Sequence, residues 1–317
     1  MICLNPTLQK TLRFSSIIPN TVNRTGNHRL DIAGKGICVT RVLTQLGRKA
    51  VHLTPLGGEM RSLFLSRCEQ DSLSVEWVES YSQIRFCYTL INDSGSTITE
   101  LVEEAEPVEA ETELRLIEKF DSLLLKNPVS HDGTGFKHLV ISGTKAAGFS
   151  DKVIPDMVRK AKEKGLKIIL DVKGKDLTES LQYGPDIVKP NLYEFASTFA
   201  PDLVKNNELI DDESAVKKRI KDVALSICKK HSCRIVLTRG SGKVWAANPL
   251  GLRANGENFF EIDVPAIKPA NTIGSGDAFT AGLAAALEDG KDFVEAIDEG
   301  IRCGALNAGL LRPGVIY

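Results

Sequence analysis

The sequence predicts an α/β fold in which a mostly parallel central sheet is covered by helices, with a small β-sheet inserted into the first half of the chain. From residue 138 onward, short apolar runs such as "HLVISG", "KIILDV" and "RIVLTRG" alternate with longer helical patterns. This alternation is typical of parallel strands joined by helices. The segments near 10–14, 28–32, 85–91 and 97–102 are instead short, strand-like and separated by turn signals. They predict a small antiparallel lid sheet.

Two helices can be placed from their apolar spacing. Residues 36–46 carry apolar side chains at helical intervals, and Gly47 is a natural C-terminal stop. Residues 212–230 place Val216, Ile220 and Ala224 on one face, with lysines and acidic residues elsewhere. Both segments are therefore expected to pack as helices against the sheet.

The lid is expected to interrupt one domain rather than to form a second one. A length of 317 residues allows a single large α/β domain, so we predict one domain over residues 1–317 with lid strands inserted at about 10–32 and 85–102. "NDSG", between "FCYTLI" and "STITEL", predicts a hairpin turn in the lid. The acidic run over 102–113 is expected on a solvated surface.

Composition narrows the classes of partner. Forty basic residues nearly balance 41 acidic ones, so no strong field favours nucleic acid or an anionic membrane, and a small-molecule partner is expected. The seven scattered cysteines include no C-x-x-C pair and are typical of reduced thiols in a cytoplasmic protein. The sequence contains no run of 18 apolar residues that would predict a membrane span.

The stretch "NTIGSGDAFTAGLAAAL", residues 271–287, carries the strongest local signal for a site. Asp277 stands at the start of a strongly helical run, where a carboxylate can cap the helix. The same helix start can hold phosphate, because its amides are free and Gly274 and Gly276 let the backbone approach a ligand. A carboxylate beside bound phosphate can also take a proton. From this window alone, both the capping and the catalytic roles stay open.

The common nucleotide-binding motifs are absent from the sequence. No Walker A run exists, and "GSGDAF" and "GKGICV" both lack the third glycine of the Rossmann pattern. What remains is a glycine-rich helix start at two distant places, 33–36 and 274–277.

Motifs along nearly the whole chain resemble the ribokinase-like, PfkB-type carbohydrate kinases. These motifs are "LNPTLQKT", "AGKGICVTRVLTQLG", "SGTKAAG", "VKPNLYEF", "VLTRGSG" and "NTIGSGDAFTAGLAAAL". The chain is most similar to the branch that contains 1-phosphofructokinase and tagatose-6-phosphate kinase. The resemblance implies a ribokinase-like fold, and it favours the catalytic role for Asp277.

The resemblance implies direct in-line transfer of the γ-phosphate of ATP to a sugar hydroxyl. Asp277 would be the general base, and the amides of Gly274, Ser275 and Gly276 would form an anion hole. Asn191 and Glu194 match the element that organises Mg²⁺ through water, which suits a hard, hydrated ion. A helix cap is the alternative for that pair. The remaining residues implied on the nucleotide side are Lys189, Thr238, Gly240, Ser241 and Asn307.

The acceptor side departs from the family pattern. Gln9 stands where the branch usually has an aspartate that binds sugar hydroxyls, and Cys38 stands for an asparagine. Lys35 and Arg85 match positions that neutralise the acceptor's own phosphate. The other residues implied on the substrate side are Gly34, Gly36, Ser142 and Gly143.

These observations predict a Mg²⁺- and ATP-dependent kinase for a small phosphorylated ketohexose. Its partners would be a small sugar or sugar phosphate, with no nucleic acid and no membrane, and the lid could pair two copies into a homodimer. Two alternatives stay open: a nucleotide-binding regulatory protein that has lost sugar turnover, suggested by Gln9 and Cys38, and a kinase of the same fold for a free sugar or nucleoside.

Overall fold

The computed structural model describes residues 1–129, 135–206, 208–210, 212–249 and 258–317, and a six-stranded sheet lies at the centre of this part of the chain. In spatial order its strands are Phe259–Ile262 (β14), Gly242–Ala247 (β13), Arg234–Arg239 (β12), Ile187–Val188 (β9), Lys167–Asp171 (β8) and His138–Ser142 (β7).

The pairing within this sheet follows the hydrophobic pattern. β7, β8, β9 and β12 pair in parallel, as the alternating apolar runs predict. Their residues are buried on both faces, which is why these strands show no polar alternation. β12, β13 and β14 pair antiparallel, and "TRGSGK" forms the turn of the β12–β13 hairpin.

The N-terminal residues extend the sheet. Val51–Leu56 (β3) and Ser74–Glu79 (β4) form a parallel pair. Ile2 bridges Leu53 of β3 on one side and Ile141 of β7 on the other, both in parallel. The first residues therefore lie between β3 and β7, and the chain leaves the sheet at the edge where β7 and β8 also end.

Helices cover both faces of the sheet. Their bounds are Lys35–Gln45 (α1), Arg61–Gln70 (α2), Ala110–Lys126 (α3), Val153–Glu163 (α4), Gly174–Ser180 (α5), Leu192–Phe199 (α6), Glu213–His231 (α7), Ser275–Glu288 (α8) and Phe293–Ala308 (α9). Successive residues of β7 show the two layers: Leu139 and Ile141 pack with α3, α4, α6 and α7, whereas Val140 packs with α1, α8 and α9. This arrangement confirms the predicted α/β class.

Both predicted helices are confirmed with small shifts at their ends. α1 covers 35–45, and Gly47 follows it with a φ of 74°, a left-handed conformation that favours glycine. α7 covers 213–231, and the Asp212 side chain caps it by accepting a hydrogen bond from the Ala215 amide at 2.9 Å.

The lid is a four-stranded sheet in the order β2-β1-β5-β6 within the described residues. Its strands are Thr7–Phe14 (β1), His28–Ala33 (β2), Arg85–Asn92 (β5) and Thr97–Val102 (β6). "NDSG" joins β5 to β6 as a hairpin, as expected. The prediction of an antiparallel lid is wrong at its centre, because β1 and β5 pair in parallel. They can do so because α1, β3, α2 and β4 lie between them in the chain and return it to the same edge.

The remaining local predictions concern surface segments. Most residues of 102–113 are exposed, as expected for an acidic run, although Val108 and Thr112 are buried where α3 begins. Val204–Lys205 (β10) and Glu208–Leu209 (β11) form a separate short antiparallel pair.

Candidate active site

The start of α8 places the glycine-rich motif at the carboxyl edge of the sheet. Gly274 precedes the helix with a φ of 84°, and a Cβ atom there would lie 2.8 Å from the Gly314 amide nitrogen. Only glycine therefore fits this position, on both conformational and steric grounds. The N-cap position of α8 is Gly274, and Asp277 lies inside the first turn of the helix. Asp277 is therefore not the N-cap residue, and its helix-cap interpretation is wrong.

The amides at this helix start differ in their availability. The Ser275 amide donates to the Thr272 carbonyl at 3.2 Å. The Gly276 amide has no hydrogen-bond acceptor among the described residues, and a Cβ atom at Gly276 would find nothing within 4 Å. Open space and a free amide at a helix N-terminus suit an anion. The predicted anion hole thus has its best support at Gly276 and its weakest at Ser275.

Asp277 is a buried carboxyl group with a perturbed protonation equilibrium. It is 8% exposed and lies beside the Cys38 thiol, which acts to lower its pKa. Burial raises the pKa of Asp277 to about 7, because desolvation outweighs the attraction of Lys35 and Lys189. A carboxyl group that titrates near neutral pH can act as a general base.

Asp171 is a central site residue that sequence reasoning did not single out. Its buried carboxylate accepts hydrogen bonds from Ser142 Oγ and Thr280 Oγ1, both at 3.1 Å, and lies 3.5 Å from Lys189 Nζ and 3.4 Å from Lys35 Nζ. Burial would raise the pKa of Asp171, but the two lysines and two hydroxyls outweigh it and lower the pKa. Its sequence signal is an acidic residue that ends the buried strand "KIILD".

Lys35 connects α1 to the far side of the site. Its ammonium lies 3.2 Å from Glu194 Oε1 and 3.4 Å from Asp171 Oδ1. Burial acts to lower the pKa of Lys35, yet the carboxylates of Asp171, Glu194 and Asp277 raise it above its ordinary value. The structure thus brings four predicted site residues, Lys35, Lys189, Glu194 and Asp277, around Asp171.

Asn191 and Glu194 form a reciprocal capping box at the start of α6. The Glu194 amide donates to Asn191 Oδ1 at 2.7 Å, and the Asn191 amide donates to Glu194 Oε2 at 3.0 Å. The helix-cap alternative for this pair is therefore confirmed. A role with Mg²⁺ stays a prediction, and both roles are compatible because carboxylate oxygens keep further lone pairs for water or a cation.

The predicted nucleotide residues lie at two places. Thr238, near the end of β12, lies next to Asn191, because these two residues form a parallel bridge. Gly240 lies in the turn of the β12–β13 hairpin with a φ of 62°. Ser241 is exposed in that turn. Asn307 is fully buried, and its amide nitrogen donates to the carbonyls of Val315 and Arg312. The geometry gives Asn307 a structural task, and contact with a nucleotide stays a prediction.

Three residues predicted on the acceptor side, Gln9, Arg85 and Lys35, make separate contacts. Gln9 is buried and its Nε2 donates to Thr89 Oγ1 at 2.5 Å. Arg85 Nη1 donates to the Glu103 carbonyl at 3.1 Å, and its buried Nε has no partner in the described part of the chain. Lys35 makes its ion pairs with Asp171 and Glu194. The predicted pairing of Lys35 with Arg85 around one phosphate therefore stays a prediction.

The glycines of the acceptor loop have different tasks. Gly34 precedes α1 with a φ of 102°, and Gly143 has a φ of 101° and lies against Lys35. A Cβ atom at Gly36 would come within 2.5 Å of Cys3 Cβ, so glycine is needed there to let α1 pack on the first residues. The packing around Gly36 explains its type without a ligand.

Three further features of the chain concern its cysteines, its helices and a cavity. All seven cysteines are buried and none forms a disulfide. Among the described residues, no helix combines the length and the apolar character that crossing a membrane needs. A cavity of about 110 Å³ lies beneath Met1 and Leu124, and none of the predicted site residues lines it.

The fold and this site define a class of protein: an α/β protein that gathers a buried carboxyl group, two lysines and a helix N-terminus at the carboxyl edge of its sheet. The chain belongs to the pfkB family of carbohydrate kinases, whose family model matches residues 4–312. It is therefore a phosphotransferase that acts on an alcohol group of a carbohydrate.

Similar proteins agree with this assignment. The chain is 26% identical to a tagatose-6-phosphate kinase of Staphylococcus epidermidis, over 99% of this chain and 93% of the relative. Phosphofructokinase-2 from Escherichia coli, solved with potassium, matches with a TM-score of 0.80 at 19% identity, over 99% of this chain and 93% of that one. A possible 1-phosphofructokinase from Thermotoga maritima matches with a TM-score of 0.79 at 20% identity, over 100% and 92%. The two structural matches support the ribokinase-like fold.

Proposed function

We propose that this protein transfers the γ-phosphate of ATP to a hydroxyl of a small phosphorylated ketohexose. The observation that carries the proposal is the buried Asp277, whose pKa is raised to about 7 by burial, in the first turn of a helix with a free amide at Gly276. A base and an anion-binding helix start are the two parts that phosphoryl transfer to a hydroxyl needs.

Asp277 is assigned the role of general base. Its carboxylate takes the proton of the acceptor hydroxyl as the oxygen attacks the γ-phosphorus, and the Gly276 amide stabilises charge on the transferring group. Lys189, paired with Asp171, contributes positive charge on the nucleotide side, whereas Lys35, also paired with Asp171, lies on the acceptor side. Asp171 holds these two lysines in place and is not itself assigned a proton-transfer role.

The donor set beside this base fits a hydrated Mg²⁺ ion. Glu194 offers carboxylate oxygens and Asn191 offers an amide oxygen, and Mg²⁺ takes such oxygen ligands directly or through water. Bound Mg²⁺ would neutralise phosphate charge on the donor nucleotide. Thr238, Gly240 and Ser241 are proposed to bind the nucleotide. Asn307 is proposed to support this site through its buried amide, which donates to the Val315 carbonyl.

A phosphorylated acceptor is favoured by Arg85. Its Nε is buried without a partner in the described residues, and an arginine donor left unpaired in that way suits an anionic ligand. The tagatose-6-phosphate kinase relative and the possible 1-phosphofructokinase match carry names with phosphorylated ketohexoses as acceptors. Lys35 is proposed to reach the same phosphate only by exchanging a carboxylate partner.

A nucleotide-binding regulatory protein is the second candidate, because Gln9 Nε2 already donates to Thr89 Oγ1 and the Cys38 thiol is buried, so neither side chain is placed as a strong partner for a sugar hydroxyl. A kinase for a free sugar or nucleoside is disfavoured by the unpaired Arg85 donor.

We also propose a single domain, a cytoplasmic location, and a homodimer formed through the lid, where Leu101 and Val102 are each 52% exposed on β6.

A coupled ADP-release assay tests the proposed function across phosphorylated and free ketohexoses, aldohexoses and nucleosides, with Mg²⁺ present. We expect turnover that requires a phosphorylated ketohexose. Turnover confined to a free sugar or a nucleoside would overturn the acceptor assignment. Tight ATP binding without turnover on any acceptor would favour the regulatory candidate.

A further inference from the structure

The residues after α9 return to the site as a short segment, 312–316, which we call the tail. A Cβ atom at Gly314 would lie 2.6 Å from Cys38 Cα, so the backbone of the tail packs directly on the start of α1. A Cβ atom at Gly274 would lie 2.8 Å from the Gly314 amide nitrogen and 3.1 Å from Pro313 Cβ. The tail therefore touches both an acceptor-side residue and the helix start that holds the base.

Arg312 anchors this tail through a network of buried ion pairs. Its Nε lies 2.9 Å from Asp31 Oδ1, and its Nη2 lies 2.5 Å from Asp71 Oδ2. Arg41 Nε lies 2.8 Å from the same Asp71 oxygen. Burial would raise the pKa of Asp71, but Arg312 and Arg41 outweigh it and hold the pKa below its usual value. The Asp71 carboxylate is therefore an ionised partner of the tail at neutral pH.

The network reaches the lid at the strand neighbour of Gln9. Asp31 on β2 lies directly opposite Gln9 on β1 in the strand register, so both side chains share one face of the lid. Asp31 is 4% exposed and Gln9 is 3% exposed. Arg41 strengthens the connection, since its Nη1 donates to the Pro313 carbonyl at 3.0 Å and its Nη2 to the Ile32 carbonyl at 2.9 Å.

The other side of the tail is tied to the helix start. Asn307 Nδ2 donates to the Val315 carbonyl at 2.9 Å, and Asn307 Oδ1 accepts from Ser275 Oγ at 3.4 Å. One continuous set of contacts thus runs from Asp31 on the lid, through Arg312 and Gly314, to Ser275 and Gly274.

We propose that Arg312 is a positioning residue that holds the acceptor-binding face of the lid in register with the helix start carrying Asp277. This inference rests on the proposed kinase function. Arg312 acts through Asp31 and through the tail backbone, so it fixes where the acceptor lies relative to the base rather than contacting the reacting atoms. Losing it should misplace the acceptor while leaving the nucleotide loop at Thr238 and Gly240 intact.

Arg312→Met tests this role, with Arg312→Lys as the conservative variant and Arg302→Met as the matched control. Arg302 lies on α9 and, within the described residues, makes a partly exposed pair with Glu299 and a contact with the neighbouring Cys303. We expect Arg312→Met to lower kcat/KM for the acceptor by about tenfold or more, the effect of losing a charge-assisted hydrogen bond. The KM for ATP should change less than about twofold, and Arg312→Lys should recover part of the loss.

Asp31→Asn supplies a second, milder variant in case Arg312→Met folds poorly. The two changes combined should lower acceptor kcat/KM by less than the product of their separate effects, because each of them removes the same Arg312–Asp31 ion pair. Equal losses for acceptor and ATP, or full multiplicative losses in the double variant, would overturn the inference. So would unchanged acceptor kinetics with a lower melting temperature. If the unmodified protein phosphorylates no sugar, the proposed function itself is wrong. The assay of the unmodified protein therefore separates that failure from a failure of the Arg312 inference.

Discussion

Replacing Asp277 by Asn should make the protein inactive and more stable at the same time. Burial raises the pKa of this carboxyl from 3.8 to about 7, so the folded protein pays to ionise it. The shift is about three pKa units at about 1.36 kcal/mol each, which gives on the order of 4 kcal/mol. The asparagine has a similar shape and carries no charge that needs burial.

The pH dependence gives this prediction its sign. Below a pH of about 4 the carboxyl is protonated in both the folded and the unfolded chain, and the two proteins should unfold alike. As the pH rises from about 4 to about 7, the unmodified protein loses stability, because in this range the unfolded chain binds fewer protons at this group than the folded one. Asp277→Asn lacks this loss, so its advantage should grow from near zero to at most about 4 kcal/mol.

Urea unfolding at about pH 5 and about pH 8 measures the difference, with equal m values required for the comparison. Asp263→Asn is the control, because Asp263 is 84% exposed and its ion pair in the described part of the chain is a surface pair with Lys243. The kcat of Asp277→Asn should fall by about 10²–10⁴ with ATP affinity retained. A variant that is less stable at every pH, or that turns over normally, would refute the assignment of Asp277 as a buried base.

Three further predictions concern the same site. The kcat/KM for the acceptor should be low in acid and rise as pH increases through about 7, because Asp277 must be deprotonated to accept a proton; a flat profile between about pH 6 and 8 would contradict this. Glu194→Gln should raise the Mg²⁺ concentration needed for half-maximal rate, while the acceptor KM changes little. A change in the acceptor KM alone would contradict a role for Glu194 in holding Mg²⁺. Gln9→Asp combined with Cys38→Asn should raise kcat/KM for fructose 1-phosphate or tagatose 6-phosphate by about tenfold, which is the effect of gaining one charge-assisted hydrogen bond. A lower kcat/KM on every phosphohexose would count against a phosphosugar acceptor. Lys35→Ala should remove the preference for phosphosugars.

The parts of the fold that depend on local pattern could be predicted from the sequence. Buried parallel strands such as β7 and β8 show as continuous apolar runs, and α7 shows as a helical apolar stripe with Asp212 as its cap. The parallel pairing of β1 with β5 could not be predicted, because it joins segments almost eighty residues apart and leaves no local signature.

The site was predictable where a motif carries it and not where several segments converge. The sequence places Asp277 at a helix start but leaves its role open, since capping and catalysis need the same residue there. Asp171 was missed because its importance comes from Ser142, Lys189 and Thr280, which other elements bring to it. The buried amide of Asn307 likewise has partners only in the folded tail.

The parallel pairing of β1 with β5 limits how this lid can be exchanged. β1 and β2 leave the body as one segment, β5 and β6 leave it as another, and the two middle strands of the sheet come from different segments. A chimaera that takes only one segment from a relative would join two unrelated strands along eight paired residues of β1 and β5. Both segments must therefore be grafted together, and the two halves of the lid are expected to have changed in concert.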